Sequence, residues 1–238
     1  MNFELNIKEL ARLGILETFF KRKLKHNCIK NIQKSINTKQ QLKIINNWKK
    51  KNSIKSNSDL DQWLNLYNLN MNEWINLINS DYLWTCWCME KYKDELTEYF
   101  IKRKDYLDLY YYTIIKVKDK EVADEIYIRI KEKESTFEEI ANNFSSDNES
   151  FFAEKMGPIS INEMEDAIAS LIKIGDLHQL FQPKSSNGFW FILRKDNILK
   201  AEFNHQQKIK LSLELGEKFL NNRFMEIQRN RDIQTFLK

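Results

Sequence analysis

The chain has 238 residues, 42% hydrophobic and 30% charged, enough to bury one large core or two small ones, and a composition that excludes a disordered chain. No uninterrupted apolar run approaches the roughly 18 residues needed to cross a bilayer, and three cysteines, Cys28, Cys86 and Cys88, exclude a disulfide scaffold or a four-ligand zinc site and are expected as reduced thiols in helical core. The net charge of +4 conceals an asymmetry: residues 1–57 carry fourteen Lys or Arg against three Glu, a net +11, and the remainder carries −7.

In chain order, apolar residues recur at helical spacing from Ile7 to about Ile36 (Leu10, Leu13, Leu16, Leu24, Cys28, Ile32), which predicts one long amphipathic helix. A second helix is expected over Thr38 to Lys51. Ser58 is placed to cap a short helix bearing Leu60, Trp63 and Leu64. Asn70 with Glu73 three residues on forms a capping-box pattern that opens a helix through Trp74, Leu77 and Ile78. That helix is expected to continue, with a break near Ser80, to about Lys104. At Leu109 the pattern changes: Leu109-Tyr-Tyr-Tyr-Thr-Ile-Ile-Lys-Val-Lys118 is dense in aromatic and β-branched residues and reads as a strand.

Helical period returns at Val122, Ile126 and Ile130, and again after Thr136, an N-cap with Glu139 at the capping-box position. Beyond lies the one stretch rich in backbone breakers. Both prolines, Pro158 and Pro183, and three of five glycines, Gly157, Gly175 and Gly188, fall between 157 and 188, so the sharp turns and any concave site are expected there. It reads as a short strand around Met156 to Ser160, a helix from about Met164 to Ile174 stopped by Gly175, and a closing strand Phe189 to Arg194. Residues 107–199 thus read β-α-α-β-α-β. From Ala201 the chain is one amphipathic helix with Ile209, Leu213, Leu220, Phe224 and Ile227 on its apolar side, expected to pack on the N-terminal helices.

The ordered set Phe137-Glu-Glu-Ile-Ala141, Phe144-Ser-Ser-Asp147, Met156-Gly157, Gly175, Pro183 and Gly188-Phe189 resembles the signature of the parvulin peptidyl-prolyl isomerases over about residues 110–197. The all-helical flanks, with Asp59-Leu-Asp-Gln-Trp-Leu and Leu69-Asn-Met-Asn-Glu-Trp74, resemble the helical part of SurA and PrsA type foldases, which cradles unfolded chains. The resemblance implies an α+β chain: a parvulin-like domain at 107–199 inserted in a discontinuous all-α domain of residues 1–106 and 200–238. It implies pocket walls at Met156, Met164 and Ile168, and places Asp147 beside the reacting amide. The family's two strand histidines correspond to Thr113 (or Tyr112) and Trp190, neither of which reproduces a paired imidazole network. Of the histidines present, His26 and His205 fall in the outer helices and His178 in an exposed loop.

No glycine-rich phosphate loop, metal-ligand cluster or activated nucleophile appears, so no cofactor or metal is expected. The expected function is a peptidyl-prolyl isomerase and foldase acting on proline-containing or unfolded polypeptides. Its alternative is a peptide-binding chaperone without turnover. A second alternative has the basic N-terminal part anchoring to ribosome, nucleic acid or anionic membrane, against surface decoration by exposed lysines; nucleic acid is the less expected partner, since those lysines lack an aromatic binding signature. The start Met1-Asn-Phe-Glu-Leu-Asn has no signal-peptide pattern, which with the missing apolar span points to the cytoplasm. Similarity of layout to secretion-associated relatives adds a peptide secretion system as a candidate partner.

Overall fold

The computed structural model describes residues 7–30, 32, 36–144 and 151–230, with the backbone alone for 141–144. The chain divides into two compact units: residues 1–97 with 204–238, and residues 98–203.

The first unit is helical. Helix α1 (Ile7–Arg12) and α2 (Leu16–Ile29) replace the single long helix expected from Ile7. The reason is Gly14, whose φ of +68° ends α1. Its N–H donates to Ala11 O and that of Ile15 to Leu10 O, the paired bonds that close a helix through a left-handed residue. Helix α3 (Thr38–Lys51) has the expected limits and is capped by Asn37. Helix α4 (Asn57–Tyr67) starts one turn's edge earlier than read: Ser56, not Ser58, is the cap, exchanging bonds with Asp59 in a capping box. The Asn70–Glu73 box opens α5 (Met71–Lys91) as expected. No break occurs at Ser80; the interruption comes at Tyr92–Glu95, before α6 (Leu96–Leu107). Tyr92 and Leu96 are buried and hold that turn down.

Helix α10 (His205–Arg229), capped by Asn204, packs on α2 and α5, as its apolar stripe predicts. Phe224 meets Phe20 with ring centroids 5.5 Å apart, and Phe219 meets Trp87 at 5.3 Å. Close approach depends on Gly216, where a Cβ would stand 2.5 Å from Cys88 Sγ and 2.9 Å from Trp84. All three cysteines are free thiols. Burial pushes the Cys88 thiol from 9.0 up to about 12 and the Tyr92 phenol from 10.0 up to about 12. The folded chain therefore keeps protons that the unfolded chain releases, so this stability is complete below pH 9 and is lost as pH rises toward 12. Urea midpoints of the helical unit, read by tryptophan fluorescence, should fall steadily between pH 9 and 11; flat midpoints across that window would contradict this.

The second unit carries the sheet. Strands β1 (Leu109–Val117), β2 (Phe151–Ser160), β3 (Leu180–Ser186) and β4 (Phe189–Leu199) form one antiparallel sheet in the order β2-β1-β4-β3. Sequence reading found three of them. The fourth, β3, hides in Leu180-Phe-Gln-Pro-Lys-Ser-Ser, where only Phe181 is buried and Pro183 sits at a register shift on the sheet edge, the place a strand tolerates proline. Helices α7 (Lys120–Lys131) and α8 (Phe137–Phe144), the latter opened by the Thr136–Glu139 box, cover one face. The other face is covered by α9 (Asp166–Ile174), which follows a 3-10 turn over Ile161–Glu163. Where the insert begins and ends, Asp108 accepts from Ala201 N–H at 2.7 Å and from Lys104 Nζ at 3.0 Å, tying entry to exit.

Candidate functional site

Side chains alternate across a strand, and this alternation separates the residues singled out in the sequence. On the α9 face, Met164 and Ile168 pack with Tyr112, Ile114, Phe191 and Leu193, and Met156 lies partly buried at the edge of the cluster. Met164 is 9% and Ile168 2% exposed, so both belong to the core behind Met156. Above them Lys116 Nζ pairs with Glu165 at 2.6 Å, and Glu165 also accepts from Ser186 and Asn187. Desolvation, then the nearby Glu165 and Glu154, raises the Tyr112 phenol above its ordinary value.

Thr113 and Trp190 point to the opposite, α7–α8 face, and they do not meet. Thr113 stands opposite Arg194 and Trp190 opposite Val117. Four residues of strand, about 13 Å, separate them. Trp190 packs against the Ile115 and Val117 cluster with Lys120 Nζ 5.6 Å from its ring centroid. Thr113 instead joins a polar network: its hydroxyl donates to Asp196 Oδ2 at 2.6 Å, and Arg194 Nε donates to Asp196 Oδ1 at 2.6 Å. The Arg194 guanidinium lies 4.9 Å from the Phe137 ring centroid. Beside it Lys155 pairs with Glu138 at 2.8 Å, a bond that holds the Glu138 carboxyl below its ordinary value. Asp147 lies outside the described residues.

These groups border an open cleft of about 580 Å³, lined by Tyr111, Lys155, Met156, His178, Arg194, Asp196, Asn197 and Leu199. Gly157 makes its wall possible. With φ +125°, its α-carbon passes so close to β1 that a Cβ would stand 2.5 Å from Tyr110 O and 2.9 Å from Tyr111 Cα. His178, exposed in its loop as expected, takes φ +65° and donates its N–H to Lys195 O at 2.7 Å, which brings it to the cleft. Sequence reasoning missed Tyr111, Lys155, Arg194, Asp196, Asn197 and Leu199. The signal available was parity, since Arg194 and Asp196 are two apart on a strand and share the Thr113 face.

The lining mixes apolar residues (Met156, Leu199, Tyr111) with N–H donors (Lys155, Arg194, Asn197), a mixture that suits an extended polypeptide with one apolar side chain seated. Asp196, with both oxygens engaged, fixes Arg194 in place. Replacing Asp196 by alanine strips the acceptor from Thr113 and Arg194 together and should lower stability by about 1–3 kcal/mol, with asparagine recovering part of it. A urea titration with unchanged slope reads the loss; an unshifted midpoint would contradict the network's role.

Residues 115–196 match the family model of the PPIC-type PPIase domain, the rotamase family. Among solved structures, the chain is similar to the peptidylprolyl isomerase PrsA from Bacillus cereus (17% identity, 96% of this chain and 86% of that one, TM-score 0.41). It is likewise similar to PrsA from Bacillus anthracis (16% identity, 92% and 95%, TM-score 0.36) and to a SurA-like chaperone of Campylobacter jejuni (11% identity, 92% and 86%, TM-score 0.25). No curated protein matches the sequence.

Proposed function

We propose that the chain is a peptidyl-prolyl cis-trans isomerase and foldase that takes proline-containing or unfolded polypeptides into the cleft beside Met156. The observation that carries this reading is the family match over 115–196, on a sheet where Met156 lines an open cleft beside the close approach of Gly157 to β1. Rotation about a prolyl bond faces a resonance barrier of about 18–20 kcal/mol. A site that binds the twisted amide better than the planar one lowers it with no covalent step, and about 4 kcal/mol of such preference gives about a thousandfold. Met156 and Leu199 grip the prolyl ring, Arg194 and Lys155 hold the flanking backbone, and Thr113 positions Arg194 through Asp196. Thr113 and Trp190 stand where the resemblance asks for histidines, so turnover is expected to be slow.

A second reading, binding without turnover, is favoured by the burial of Met164 and Ile168, which leaves Met156 as the one residue of that trio at the cleft. Refolding of a protein limited by prolyl isomerisation separates the two. Wild-type chain should shorten the slow phase, and Met156→Ala should lose most of that acceleration with a stability loss below the roughly 2–5 kcal/mol of a fully buried Met→Ala change, because Met156 is only partly buried. Suppressed aggregation with an unaltered slow phase would favour the second reading. As part of the same proposal the protein works in the cytoplasm, with a peptide secretion system as a further partner; three free thiols suit a reducing compartment. Export of the chain from cells under fractionation would overturn that placement.

A further inference from the structure

We infer that the groove between α2, α3 and α5 is a docking site for an acidic, apolar polypeptide segment, whose carboxylates are read by Arg22, His26 and Lys51. The inference rests on the polypeptide-client reading and adds to it the chemistry of the segment preferred. The groove encloses about 910 Å³ within the helical unit. Helix α2 offers Arg22, Lys25, His26 and Ile29 at spacings of three, four and seven, so these residues share one face. Helix α5 offers Glu73, Asn76, Leu77 and Ser80 at the same spacings, and the last turn of α3 adds Trp48 and Lys51.

The charges on the groove are not equivalent. Of its two carboxylates, Asp81 is engaged by Lys25 at 2.6 Å, and Glu73 accepts from Asn70 N–H at 2.8 Å in the cap of α5. Arg22, His26 and Lys51 border the same space with no carboxylate partner among the described residues. Between them lies apolar surface: Ile29 and Ile78 are buried, Leu77 is 49% exposed, and Leu69 and Trp48 complete the lining. A leucine or phenylalanine of the occupant would cover Leu77, and acidic residues on either side of it would meet the Arg22 and Lys51 cations and the N–H of the His26 ring. A nucleic acid fits less well, because its phosphates would meet Asp81 and Glu73 and its bases would find Leu77 rather than an exposed aromatic platform.

The test uses the full chain and two dye-labelled peptides of about a dozen residues, in which leucines and phenylalanines alternate with either glutamates or lysines. Fluorescence anisotropy at low salt should show the acidic peptide binding about tenfold more tightly than the basic one. Arg22→Glu with Lys51→Glu, both exposed, should keep the fold by circular dichroism and leave isomerisation of a proline tetrapeptide unchanged, yet weaken the acidic peptide about tenfold or more and reverse the preference. Leu77→Ser should weaken both peptides. Equal binding of the two peptides, or undiminished acidic binding by the double variant, would overturn the proposal. So would RNA binding, or self-association of the chain, that depends on Arg22 and Lys51. Tetrapeptide turnover is read separately, so a failed isomerase reading and a failed docking site give different results.

Discussion

Replacing Gly157 by alanine should cost the sheet-bearing unit about 4 kcal/mol, a large part of the roughly 5–15 kcal/mol that holds a domain together. Two terms add. The φ of +125° is a region that L side chains rarely adopt, and the new methyl would collide with backbone, at Tyr110 O and Tyr111 Cα, which cannot rotate away. The substitution falls where β2 shifts register against β1 between Tyr110 and Tyr112, so relief of the clash must move Met156 as well. Isomerase activity should therefore fall with stability. Gly188→Ala is the control: its φ is +80°, but nothing lies within 4 Å of the added carbon, and only the conformational cost of about 1 kcal/mol remains. Equal melting curves for the two variants would show that the close approach at Gly157 is not what shapes the cleft.

Ile168→Ala should be nearly as damaging, by about 3 kcal/mol, because the side chain is 2% exposed between α9 and the sheet and its removal leaves a cavity among Tyr112, Phe191 and Leu193. Met156→Ala, at the cleft edge, should cost far less stability and more activity. The pair thus tells core from wall. A stable Ile168→Ala with weakened peptide binding would return that residue to the site the resemblance gave it.

The sequence made the helices and their caps readable where chemistry is local. The Asn70–Glu73 and Thr136–Glu139 boxes and the Thr38–Lys51 helix have the form expected, since each depends on residues within one turn of each other. Errors arose where one residue's backbone decided the outcome. Gly14 divides the first helix in two, and helical periodicity gives no warning because the apolar spacing continues through it. The β3 strand was missed because an edge strand needs little β propensity of its own when β4 supplies the partner.

The site was harder to read than the fold for a similar reason. The resemblance implied pocket walls at Met156, Met164 and Ile168, and the three lie in one cluster on the α9 side of the sheet. It could not reveal the register of β1 against β4, and that register puts Thr113 opposite Arg194 and four residues away from Trp190. The Thr113–Asp196–Arg194 network spans 83 residues of sequence and exists only once the sheet has closed.

Catalysed rotation about prolyl bonds is best read at equilibrium, without a coupling protease. Two-dimensional NMR exchange spectra of a short Xaa-Pro peptide, with the full chain at a small fraction of the peptide concentration, measure cis-trans exchange itself. Exchange cross-peaks should appear whose rate rises in proportion to the protein added and falls with Met156→Ala. Peptide resonances that shift or broaden on binding, with exchange no faster than the uncatalysed tens of seconds, would contradict it.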